Sequence, residues 1–146
     1  MTPEQIAAIV TRHVTISTDK MNIARAALPE AIASRLPSAE QIATAVKSGR
    51  TGKLLTSKPA KENGAVRFAW RWCRFHSGTD TTFPTTCDFD LADWLREIDP
   101  DVNPYASAVR RHAADYLIEA ASVAVIALGL NPLRGTMRWG RALGMI

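Results

Sequence analysis

Val66-Arg67-Phe68-Ala69-Trp70-Arg71-Trp72-Cys73-Arg74-Phe75-His76 places four of the chain's ten aromatic residues beside three arginines within eleven positions. Aromatic faces stack on bases or anchor protein interfaces, and guanidinium forks grip phosphates or carboxylates. Just upstream, residues 50–64 supply Arg50, Lys53, Lys58 and Lys61 among Thr, Ser, Pro and Gly. Basic side chains in such a run make phosphate contacts that do not depend on base sequence. The sequence therefore predicts a contact surface built from Arg50, Lys53, Lys58, Lys61, Arg67, Trp70, Arg71, Trp72 and Arg74. Nucleic acid, or a nucleoprotein complex, is the partner this chemistry fits.

Charge along the chain sharpens that expectation. The net charge of +4 hides a block of +7 over residues 47–76, followed by a block of −6 over residues 77–101. Residues 1–46 balance, and residues 102–146 return to +3. Blocks of opposite sign either form two separate charged faces or neutralise one another inside the fold. The sequence leaves both arrangements open.

Other constellations carry less. Cys73, His76, Cys87 and His112 form a possible zinc set, with Cys73 and His76 at knuckle spacing, but the second pair is scattered. A buried cysteine acting as a small hydrophobe, and a histidine in the core, are the plainer readings. Asp88, Asp90 and Asp93 resemble a cation cluster, yet acidic residues at a helix start also cap free N–H groups. Asp99, Asp101 and Asn103 open like a calcium loop, but Pro104 and Arg110 stand where that loop needs Gly and Glu. Gly49-Arg50-Thr51-Gly52-Lys53 fails as a phosphate loop, because Lys47 and Leu54 replace the required Gly and Ser or Thr. The Gly-x-x-Gly form of the same residues also occurs in nucleotide-clamping KH loops, whose flanking strands are missing upstream. Ser38–Val46 has the form of the first helix of a helix-turn-helix, with Gly49–Leu55 as a weak second helix. No nucleophile–base motif is present.

These residues need elements to hold them. Thr2-Pro3 with Gln5 reads as a capping box that opens a helix, and Ser17-Thr18-Asp19 as a second start. Pro29 bends or restarts the chain, and Ser38 with Gln41 opens a third helix carrying Ile42, Ala45 and Val46, stopped at Gly49. Residues 66–76 read two ways. As a strand, Val66, Phe68, Trp70 and Trp72 share one face; as a helix, Arg67, Arg71 and Arg74 form one stripe beside Phe68, Trp72 and Phe75. Aromatic enrichment favours the strand, turning at Ser77–Asp80 into Thr81–Phe89 as an edge partner that contains Pro84. A short helix through Leu91, Trp94, Leu95 and Ile98 follows, stopped by Pro100. Asn103-Pro104 then opens what should be the longest helix, with Tyr105, Val109, His112, Tyr116 and Val123 along one stripe, ending at Gly129. Arg134, Arg138 and Arg141 fall at helical spacing in a glycine-rich last segment.

The predicted fold is thus mainly α with a small β-hairpin, an α+β single domain of about five to six helices over residues 1–146. Its parts are a helical stretch 1–49, the basic connection 50–64, and the hairpin plus C-terminal helices 65–146. The longest apolar run, Ala120–Leu130, is shorter than the roughly 20 residues of a bilayer span. Two cysteines and the lack of a secretory signal at the amino terminus fit a reducing, cytoplasmic setting. The functional expectation is a non-enzymatic binding protein with no cofactor, metal or membrane contact. A small protein-binding regulator or inhibitor of a nucleic-acid machine, of the kind phages and mobile elements encode, is the alternative. A zinc or carboxylate-metal enzyme is the third reading.

Overall fold

The computed structural model describes residues 2–48, 64–76, 81–83 and 91–128. These hold six helices: α1 (Pro3–Ala27), α2 (Glu30–Ala33), α3 (Ala39–Ser48), α4 (Gly64–His76), α5 (Leu91–Ile98) and α6 (Ser107–Ala127). No strand occurs among the described residues.

The predicted capping boxes form. Thr2 Oγ1 accepts from the Gln5 amide while Gln5 Oε1 accepts from the Thr2 amide, with Pro3 in the first turn. Ser38 and Gln41 exchange the same pair of bonds at the start of α3. The second start at Ser17-Thr18-Asp19 does not interrupt α1, which runs unbroken for 25 residues and is longer than α6 at 21. The reason is packing: Ser17, Met21, Ala24 and Leu28 form one continuous buried stripe, and a break at Ser17 would throw it out of register. Pro29 ends the helix by forcing Leu28 into extended backbone (φ −85°, ψ 155°).

The hairpin is overturned. Residues 66–76 are helical, and Thr81 and Thr82 form a bend leading into irregular Phe83 rather than a partner strand; residues 84–89 lie outside the described residues. Helical phase explains why, because it gathers Ala65, Phe68, Ala69, Trp72 and Cys73 on one buried face. Three of these five are small, so α4 can lie close against α6. A strand would have buried Trp70 with Trp72 and put Ala69 and Cys73 outside.

α6 is the central element, packing against α1, α3 and α4. From Tyr116 to Val125 it buries nearly every side chain, with Ala120, Ala121 and Ala124 permitting close approach from several sides. It begins later than the sequence predicted. Asn103 Oδ1 accepts from the Tyr105 amide at 3.2 Å, closing a turn that delays the helix to Ser107. Tyr105 is consequently 64 % exposed and does not join the core stripe, whereas Tyr116 and Val123 do.

Two tertiary bonds fix the connection between α2 and α3. Arg25 Nη2 donates to the carbonyls of Leu36 (2.8 Å) and Pro37 (3.0 Å), and the Tyr116 hydroxyl donates to that same Pro37 carbonyl. Arg35 Nη1 donates to the Ile98 carbonyl at 2.6 Å, tying the connection to the end of α5.

Candidate nucleic-acid interface

On α4 the buried face defines its opposite. With Ala65, Phe68, Ala69, Trp72 and Cys73 turned into the core, Arg67, Trp70, Arg71 and Arg74 fall on the far side of the helix. All four are half-buried. Arg74 stacks its guanidinium over the Trp70 ring, 5.0 Å from the centroid, which orients the fork and shields one indole face.

Trp72 is placed differently. It is 9 % exposed, tilted against Phe68 (centroids 6.1 Å apart) and edge-on to Phe83 (5.2 Å). Phe75 meets Phe83 edge-on at 4.9 Å. Of the two tryptophans predicted at the contact surface, Trp72 is an interior residue and Trp70 stands beside the arginines. Phe83 was read as part of a strand; it is instead an exposed aromatic lid over Trp72 and Phe75. Arg50, Lys53, Lys58 and Lys61 lie outside the described residues.

Arg71 and Arg74 are not free side chains, each being engaged in contacts of its own. Asp93 pairs with Arg96 at 3.5 Å, one turn along α5. Asp80, Asp88 and Asp90 lie outside the described residues.

No three His, Cys, Asp or Glu side chains come together among the described residues. Cys73 is fully enclosed, and burial pushes its thiol up to about 12, the opposite of what a zinc ligand or nucleophile requires. Cys87 and the His76 side chain lie outside the described residues. His112 is half-buried and borders a shallow groove with Lys20, Asp115 and Glu119 instead of sitting in the core. A separate cleft of about 650 Å³ lies where Arg35, Pro37, Gln41, Trp94, Glu97 and Ile98 meet. Ser34, which also lines it, donates its hydroxyl to the Ala31 carbonyl at 3.2 Å.

α3 runs from Ala39 to Ser48, two residues past the Val46 at which the first helix of that motif was expected to end, and buries Ile42 and Val46; its expected partner Gly49–Leu55 lies outside the described residues. Sequence reading missed Arg25, which looked like one basic residue among many. The only local signal was a basic residue two positions before the end of a helix stopped by Pro29. No helix among the described residues is long and apolar enough to cross a membrane. Compared with known proteins, the chain matches no family model, no curated sequence and no solved structure.

Proposed function

We propose that the protein is a non-enzymatic binding protein that contacts the nucleic-acid backbone through the outer face of α4. The observation that carries this reading is the stripe of Arg67, Arg71 and Arg74 opposite the core face, with Arg74 held over Trp70. Three guanidinium forks along about two helical turns provide several phosphate contacts on one line. The lysine-rich segment 50–63 precedes this helix directly in sequence and adds a net charge of +3, with Arg50, Lys53, Lys58 and Lys61 as further phosphate contacts. In this reading Trp70 is a platform that orients Arg74, and Trp72 supports the helix from within.

Anisotropy titrations with labelled single-stranded and duplex DNA and RNA, repeated across a salt series, test it. Affinity should fall linearly on a log–log salt plot. Replacing Arg67, Arg71 and Arg74 together by Gln should lower the slope by about three, roughly one per lost phosphate contact. Salt-independent binding, or none, removes the proposal.

A protein partner is the second reading, favoured by the half-burial of Trp70 and the three arginines, residue types that dominate interface hot spots. Partners retained on the protein after nuclease treatment, and lost with the arginine substitutions, would select it.

A further inference from the structure

Among the described residues, α1 carries a partly exposed apolar face beside its core stripe. Its core stripe is Ser17, Met21, Ala24 and Leu28, yet Ile9, Ile16 and Ile23 recur at seven-residue spacing about a third of a turn away. Ile9 is half-buried, Ile16 is 38 % exposed and Ile23 is 69 % exposed. Ile118 of α6, 41 % exposed, extends the strip, since it and Ile23 border the same groove of about 340 Å³. The three isoleucines form a single apolar row along α1, a seam that a second helix can cover, flanked by polar residues three and four positions after Ile9 and Ile16.

The charges beside the seam identify the occupant. Arg12 and Asp19 lie on one flank, each three residues after an isoleucine of the seam. Both are exposed, and neither takes part in an ion pair or hydrogen bond among the described residues. On the other flank Lys20 is already paired with Glu119 at 3.6 Å. In an antiparallel pairing centred on Ile16, Ile9 of one chain meets Ile23 of a second copy. Arg12 then falls opposite Asp19 of the second copy, and the two-fold axis repeats that contact. A parallel two-fold pairing would carry the second copy's Arg12 and Asp19 to the opposite side of the seam, with no contact between Arg12 and Asp19 of the two copies.

We infer that this face of α1 binds a second copy of the chain, antiparallel, through Ile9, Ile16 and Ile23 with reciprocal Arg12–Asp19 ion pairs. The surface does not involve α4, so the inference is independent of nucleic-acid binding.

Sedimentation equilibrium of the full chain without nucleic acid tests it. The wild-type protein should show a monomer–dimer equilibrium, and Ile16→Glu should weaken it by about tenfold or more by burying charge in the seam. Ile23→Glu, at a highly exposed position, provides the same test should Ile16→Glu disturb folding. Arg12→Asp alone and Asp19→Arg alone should each weaken the dimer by about fivefold, because each sets like charges opposite one another. The combined R12D/D19R exchange should restore it. A monomeric wild-type protein, a dimer unaffected by these changes, or a double exchange that fails to restore association would overturn the proposal.

Discussion

The hydroxyl of Tyr116 and the guanidinium of Arg25 converge on one acceptor, the carbonyl oxygen of Pro37. Three parts of the chain meet at that atom: the end of α1, the α2–α3 connection and the middle of α6. No backbone N–H among the described residues reaches the Pro37 carbonyl, so its partners are these two side chains. Arg25 also serves Leu36, and its Nε is buried without an acceptor among the described residues, a cost the two Nη2 bonds must offset.

Removing either donor should therefore destabilise the fold, by different amounts. Tyr116→Phe keeps the packed ring and loses one bond, costing about 1 kcal/mol. Arg25→Met removes bonds to two carbonyls, costing about 2–3 kcal/mol. Because both bonds end on one oxygen, the double substitution should depart from additivity by about 0.5 kcal/mol or more. Urea unfolding of the four proteins measures this directly. Additive losses would mean the two donors act separately.

Alkaline pH should weaken the same fold. Burial raises the Tyr116 hydroxyl from 10.0 to about 12, against a smaller opposing pull from Arg25, and raises the Cys73 thiol from 9.0 to about 12. Both folded-state values lie above the unfolded ones, so the native state holds these protons more tightly. The stability they contribute is complete below about pH 9 and is lost as pH climbs toward about 12, at roughly 1.4 kcal/mol per pH unit for each group. Urea midpoints followed upward from pH 8 should fall accordingly. Tyr116→Phe should flatten the curve above about pH 10, and Cys73→Ala should delay its onset. A midpoint unchanged over this range would contradict the burial of both groups.

The two tryptophans of α4 should separate cleanly. Trp72 packs against Phe68 and Phe83 and is almost fully enclosed, so Trp72→Ala should cost about 3–5 kcal/mol. Trp70 lies on the arginine side, where Trp70→Ala loses a partial contact and a cation–π pair, about 1 kcal/mol. Thermal unfolding ranks the variants, and equal losses would refute the phase assigned to this helix.

That phase was the point at which the sequence misled. Aromatic enrichment argues for strands because large rings suit a half-buried pleated face, and Phe68, Trp70 and Trp72 alternate as a strand requires. The deciding residues were the small ones. Ala65, Ala69 and Cys73 recur at helical spacing and form the surface that docks on α6, a role visible only once α6 is known to be there. Local signals performed better: the boxes at Thr2–Gln5 and Ser38–Gln41 are contained within single turns and form as written. The arginine stripe of the candidate site was legible as one of two alternatives, since 67, 71 and 74 align only on a helix. Arg25 and Pro37 were not legible, because their pairing depends on the distant Tyr116.

Cys73 offers a test of the same packing that needs no unfolding. It sits on the α4 face against α6 with no exposed surface, and burial keeps it a thiol at neutral pH. Thiolate is the reactive species, so a thiol reagent should modify Cys73 only through opening of the helix pair. In a Cys87→Ser background, with Cys73 the remaining thiol, labelling by a disulfide reagent should be slow in buffer and fast in denaturant. The native rate should rise about tenfold for each 1.4 kcal/mol of destabilisation, so Trp72→Ala should accelerate it far more than Trp70→Ala. Rapid labelling of the native protein would show that Cys73 is accessible and would reopen the zinc reading, in which a thiolate at this position is a ligand.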